Sequence, residues 1–114
     1  SLAIAVETDP EVASTIDAVI VSSVRELLLN VEKHADATRA WVSITTTQIE
    51  VADDGSGGRI SLDRALEAGH FGLALVASRA VEHGGELSFT PREGGGLVVR
   101  MTLAATNSRE RNRN

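Results

Sequence analysis

Glu26 and Asn30 stand four residues apart in the segment Arg25-Glu26-Leu27-Leu28-Leu29-Asn30-Val31-Glu32-Lys33-His34. On a helix that spacing projects both side chains from one face, one turn apart, and His34 follows a further turn along. A carboxylate and a carboxamide oxygen placed this way suit a hard cation carried by a polyphosphate. Mg2+ takes few protein ligands and completes its octahedron with water or phosphate oxygens. Lys33 would add positive charge beside those phosphates. A solvated helix face carries the same residue types, so the pattern gains meaning only from what accompanies it.

Two further groups accompany it. Asp53 closes an alternating run and precedes Gly55 and Gly57; glycines without side chains let a flat ring approach the backbone while a carboxylate accepts a hydrogen bond from an exocyclic amine. An Asp-Gly turn at a strand end has the same composition. Asp54 is the alternative acceptor, and Asp53 is preferred because it shares a strand face with Ile49 and Val51, the apolar side that a purine needs. Gly69-His70-Phe71-Gly72-Leu73 opens a second helix, where free backbone amides and the positive end of the helix dipole favour a phosphate. Neither a Walker loop nor the dinucleotide fingerprint is present. His70 and His83, each beside a helix end, read as caps or surface residues.

The elements that must position these groups follow from periodicity. Residues 2–6 form a short strand, and Thr8-Asp9-Pro10-Glu11 offers turn and capping chemistry. From 15 to 34, Ile16, Ile20, Val24, Leu27, Leu28 and Val31 recur at three and four residues and predict the long amphipathic helix. Strands are predicted over 40–46 and 48–53 with a turn at Thr47-Gln48. The glycine-rich stretch 55–69, with a small helix-like patch at 62–68, reads as a mobile connection. Leu73, Leu75, Val76 and Val81 predict a helix over 71–83 that Gly84-Gly85 ends. Strands over 86–90 and 97–103 close the chain as a hairpin across a 91–96 turn.

Composition bounds the answer. The 114 residues, 42% of them apolar, suffice for one domain with one core. That domain is expected to span 1–104, with 105–114 a disordered polar tail. The absence of cysteine excludes a disulfide framework and thiolate metal sites and fits the cytoplasm. A formal net charge of −5 argues against a nucleic-acid partner, which needs a basic surface. No apolar run approaches the ~20 residues that cross a bilayer, and the opening residues lack a signal-peptide pattern. No membrane contact by this chain is expected, although a sensor or anchor can lie outside it.

The ordered set resembles the ATP-binding domain of the GHKL superfamily, which includes sensor histidine kinases, DNA gyrase, heat-shock chaperones and mismatch-repair ATPases. The resemblance runs from about Asp17 to Leu103. Glu26 to His34 is similar to the N box, Asp53-x-Gly55-x-Gly57 to the first glycine box, and Gly69-x-x-Gly72-Leu73 to the second. The pattern is most similar to nitrate-sensor-type histidine kinases, on Glu26 to Ala35 and on Gly69 to Leu73.

The resemblance implies a two-layer α/β sandwich, a mixed and mainly antiparallel sheet with helices on one face. It implies ATP and Mg2+ as ligands, with Asn30 on the metal, Lys33 on phosphate, and Asp53 accepting from the adenine amine. Gly55 and Gly57 would shape the base pocket. Gly69, His70, Phe71, Gly72 and Leu73 would border the phosphates, and residues 58–68 would form the lid. Glu26 would assist the attacking nucleophile, and His34 closes the N box.

The activity implied is that of a sensor histidine kinase catalytic domain. It would present Mg-ATP to a histidine on an upstream helical dimerisation domain, from which phosphate passes to a response regulator. An anti-sigma-factor serine kinase and a non-catalytic nucleotide-sensing module are the alternatives. Two departures stand out: Gly94-Gly95-Gly96-Leu97 replaces the common Gly-x-Gly-Thr, removing a threonine that supports the adenine aspartate, and the lid has no aromatic box.

Overall fold

The computed structural model describes residues 2–11, 18–34, 36–55 and 71–104. The expected lid at 58–68, the polar tail at 105–114, and Gly57, Gly69 and His70 lie outside them. Within the described residues are strands β1 (Ala3–Thr8), β2 (Arg39–Ile44), β3 (Gln48–Asp53), β4 (Leu87–Pro91) and β5 (Leu97–Thr102), and helices α1 (Ala18–His34) and α2 (Phe71–Glu82).

The strands form one sheet in the order β1-β2-β3-β5-β4. Only β1 and β2 run parallel, and the other neighbours are antiparallel. That single parallel pair follows from the intervening long helix, because parallel neighbours need a crossover connection whereas antiparallel ones need only a turn. The fold is therefore the mixed, mainly antiparallel α/β sheet expected.

Alternation along the three central strands puts one face in the core. Ala40, Val42 and Ile44 on β2, Ile49 and Val51 on β3, and Leu97, Val99 and Met101 on β5 are buried, while the residues between them are only partly covered. Both helices pack on this buried face. Helix α1 lies against β2 and β3, and α2 against β4, β5 and α1. The edge strand β1 escapes this cover, and Ile4 and Val6 remain exposed.

The helices are placed as periodicity predicts, but their buried faces are narrower. On α1 the inward stripe is Ile20, Ser23, Leu27 and Val31; Val24 and Leu28 are half-buried at its margin. On α2 the stripe is Leu73, Val76 and Ala80, whereas Leu75 and Val81 are exposed. At ~100° per residue those two cannot share a face with Leu73 and Val76, so hydrophobicity alone overstated the core.

Boundaries moved for local reasons. Strand β2 stops at Ile44 rather than residue 46 because the threonines that follow make the turn. The Thr45 N–H donates to the Gln48 carbonyl at 2.8 Å, and Thr45 Oγ1 accepts from the Thr47 N–H at 3.3 Å. Short hydroxyl side chains that bond nearby backbone compete with the ladder in this way. Helix α2 ends as expected: the Gly85 N–H reaches the Ala80 carbonyl at 2.8 Å and the Gly84 N–H reaches Val81 at 3.0 Å. Gly84 supplies the left-handed residue, φ +80°, that this closure requires.

Candidate functional site

Asp53 is the last residue of β3 and continues the inward alternation of Ile49 and Val51, so its carboxylate points into the layer between sheet and helices, 2% exposed. The Gly55 N–H donates to its Oδ1 at 2.8 Å. Burial pushes the Asp53 carboxyl above its ordinary pKa. The N–H groups of Gly55 and Leu97 pull it down, the neighbouring Asp54 charge pushes it up, and Arg92 pulls it down. A buried carboxylate has room for about four hydrogen bonds. The single Gly55 bond leaves capacity for another donor, which is what an exocyclic amine would supply.

Asp54, the alternative acceptor, has a different task. Its Oδ1 accepts from the Thr38 and Arg39 N–H groups, each at 2.9 Å, and its Oδ2 from the Thr38 hydroxyl at 2.9 Å. The Arg39 amide, followed by Thr38, holds its pKa below the usual range against a desolvation effect that raises it. A carboxylate with both oxygens already bonded to the start of β2 is not free to read a base. Asp54 instead ties the end of β3 to the start of β2, which fixes the strand end from which Asp53 projects.

The β4–β5 turn closes on Asp53 from the other side. Gly94, Gly95 and Gly96 have φ of +91°, +115° and +103°, and a Cβ on Gly96 would collide with the Asp53 carbonyl oxygen. Only glycine fits there, on both conformational and steric grounds. Leu97, which stands where many family members have threonine, sends its side chain into the core, and its backbone N–H pulls the Asp53 pKa down.

On α1, Glu26 and Asn30 are half-buried and Lys33 is exposed; His34 is the last helical residue. Helix α2 begins at Phe71, so Gly72 lies in its first turn. The Glu26 carboxylate occupies the space beside Gly72, its Oε1 2.5 Å from where a Cβ on Gly72 would be. The two polar motifs predicted separately thus meet. Leu73, assigned to the phosphate border, is buried in the core at 1% exposure and anchors α2 from beneath. Among the described residues no group of three or more His, Cys, Asp or Glu side chains converges to hold a metal by itself.

A buried, amide-supported aspartate at a strand end, facing a helix that carries Glu and Asn one turn apart, coincides with a family profile. The description "Histidine kinase-, DNA gyrase B-, and HSP90-like ATPase" matches residues 17–107. The chain belongs to that family. Among its relatives is the sensor histidine kinase NarS of Mycobacterium tuberculosis, 41% identical over 96 residues that cover 78% of this chain and 23% of NarS. The nitrate/nitrite sensor protein NarQ of Escherichia coli is 32% identical over 96 residues, covering 80% of this chain and 16% of NarQ. The chain thus spans about a quarter or less of these relatives.

Histidine kinase domains also share the fold. The crystal structure of the ATP binding domain of PrrB from Mycobacterium tuberculosis superposes with a TM-score of 0.69 at 24% identity, covering 93% of this chain and 82% of that one. The Erythrobacter litoralis EL346 blue-light activated histidine kinase gives a TM-score of 0.63 at 26% identity over 96% of this chain and 36% of that one. The chain is therefore a histidine kinase-like ATPase domain in family and in fold.

Some contributors escaped the sequence reading. Thr38 and Arg39 bind Asp54 through backbone amides, which leave no trace in residue type. Arg92 and Trp41 are distant in sequence and meet only in the folded sheet, the guanidinium 4.3 Å from the ring centroid. The run Gly94-Gly95-Gly96 was the one available signal, since successive glycines before a strand mark a chain that something else approaches closely.

Proposed function

We propose that this chain is the catalytic domain of a two-component sensor histidine kinase that binds Mg-ATP between α1, α2 and the Asp53 strand end. The observation that carries the reading is the buried Asp53 carboxylate with acceptor capacity to spare, bonded by the Gly55 N–H, where an adenine amine is the fitting donor. Gly57 would complete that pocket. The oxygen donors on α1 suit Mg2+, which would reach Asn30 already bound to the triphosphate; when bound, the metal neutralises phosphate charge as it develops. Lys33, and His34 at the end of the same helix, would lie toward the phosphates, with Gly69, His70, Phe71 and Gly72 on their other side.

Catalysis in this reading is positioning and electrostatics. Glu26 receives or orients the proton of an incoming imidazole as that nitrogen bonds to the γ-phosphorus and ADP leaves. A neutral imidazole is available because its reference pKa is ~6.5. The receiving histidine belongs to a separate helical dimerisation domain upstream, and a response-regulator aspartate takes the phosphoryl group next. The isolated domain, 1–104, binds ATP and phosphorylates nothing.

Calorimetric titration of the chain with ATP and excess magnesium tests the binding claim. Heat of association that Asp53→Asn abolishes supports it, and an unchanged isotherm in that variant overturns it. For the transfer step, Glu26→Gln is placed in the full-length kinase, where autophosphorylation should fall while ATP binding persists. Acid lability of the product separates phosphohistidine from the phosphoserine that an anti-sigma-factor kinase would make.

A further inference from the structure

We propose that Arg92 and Trp41 are positioning residues for the base-reading aspartate, bracing the Gly94-Gly95-Gly96 turn so that the chain at Gly96 and Leu97 closes on Asp53. The proposal rests on the reading of Asp53 as the adenine acceptor. Its geometry runs through the sheet. The Arg92 guanidinium lies over the Trp41 ring, 4.3 Å from the centroid, and its Nη1 donates to the Gly95 carbonyl at 2.9 Å. The Arg92 N–H donates to the Gly96 carbonyl at 3.0 Å, and the Gly95 N–H returns to the Arg92 carbonyl at 3.1 Å. One residue thus holds the turn through its backbone and side chain together, while its charged plane is seated on an aromatic face.

The seat is on the far side of the sheet from the site. Trp41 falls between the buried Ala40 and Val42, opposite Ala52 on β3, which is opposite Val98 on β5. Asp53 pairs with Ala40, the neighbour of Trp41. The brace therefore ties β2 to the β4–β5 turn across the strand end that bears Asp53. Three consecutive residues at positive φ have many alternatives when unrestrained. Leu97 buries its side chain in the core and Gly96 packs against the Asp53 backbone, so what reaches Asp53 from this side is main chain, and its position depends on the turn being held still.

The charged groups acting on Asp53 among the described residues are Asp54, beside it, and Arg92, on the turn. Releasing the Gly96–Leu97 chain weakens the pull of the Leu97 N–H on the carboxyl, and losing Arg92 removes its charge as well. Both changes favour the protonated carboxyl, so ATP binding should fail at a higher pH than in the parent protein. A general loosening of the fold would instead weaken binding by the same factor at every pH.

The test measures ATP affinity with excess magnesium across pH for the 114-residue chain and for Trp41→Ala, Arg92→Ala, Arg92→Lys and Trp41→Phe. Both alanine variants should lose about tenfold in affinity near neutral pH, equivalent to ~1.4 kcal/mol, with the acid limb moved to higher pH. Trp41→Phe, which keeps a ring face, should approach the parent. Arg92→Lys, a cation without the planar fork, should lose affinity in the same direction and stands in if an alanine variant does not fold. Parent-like affinity and pH profile in the Arg92 variants, or a loss uniform over pH, overturns the brace. If Asp53→Asn binds ATP like the parent, the reading of Asp53 itself fails, and the two failures are distinguishable.

Discussion

The Glu26 carboxylate fills the space that a side chain on Gly72 would claim, its Oε1 2.5 Å from the position of that absent Cβ. Gly72→Ala therefore separates stability from activity. Alanine is the better helix former by up to ~1 kcal/mol, and the group it meets is the far end of a flexible side chain. The variant should melt no lower than the parent. In a full-length kinase, however, the displaced Glu26 should lower phosphotransfer by up to about 100-fold, the scale of a misplaced catalytic group. Parent-like transfer by a folded Gly72→Ala protein would contradict this.

Asp53 costs the folded protein stability. Its pKa is raised by burial, so folding favours the protonated form: that stabilisation is complete below the ordinary value of 3.8 and is lost as pH rises through the raised value. Asp53→Asn keeps an oxygen for the Gly55 amide and removes the buried charge. Near pH 7 it should melt at or above the parent temperature, and the parent should catch up as pH falls. Thermal melts over a pH series check the trend.

Asp54 behaves oppositely. Its pKa is lowered, so its contribution is present above 3.8 and disappears as pH falls through the lower folded value. Asp54→Ala should lower both the melting temperature and ATP affinity. Asp54→Asn, whose oxygen still accepts from Thr38 and Arg39, should lose much less. Equal losses in the two variants would show that the clamp does not act through those amides.

The Arg100–Glu50 pair serves as a control on the outer face. Arg100 Nη2 lies 2.6 Å and Nε 2.9 Å from Glu50 Oε2, yet the side chains are 43% and 28% exposed. An ion pair this wet contributes no more than about 1 kcal/mol. Arg100→Ala should shift the melting point slightly, less so at high salt, and leave ATP affinity unchanged. A double-mutant cycle with Glu50→Ala measures the coupling.

What the sequence determined by itself is what depends on neighbours along the chain. The 3–4 periodicity marked α1 and α2, the period-2 alternation of Ile49, Val51 and Asp53 identified the inward carboxylate, and Gly84-Gly85 marked the helix end. Spacing placed Glu26 and Asn30 on one face, because a helix repeats every 3.6 residues wherever it sits. Tertiary structure decided which half-turn of each helix is buried: Ser23 lies inside while Leu75 is outside. It also gave Asp54 to Thr38 and Arg39, set Glu26 against Gly72, and brought Trp41 over Arg92. Those choices depend on strand order and helix packing, which join residues remote in the chain through backbone amides and shape that no local pattern encodes.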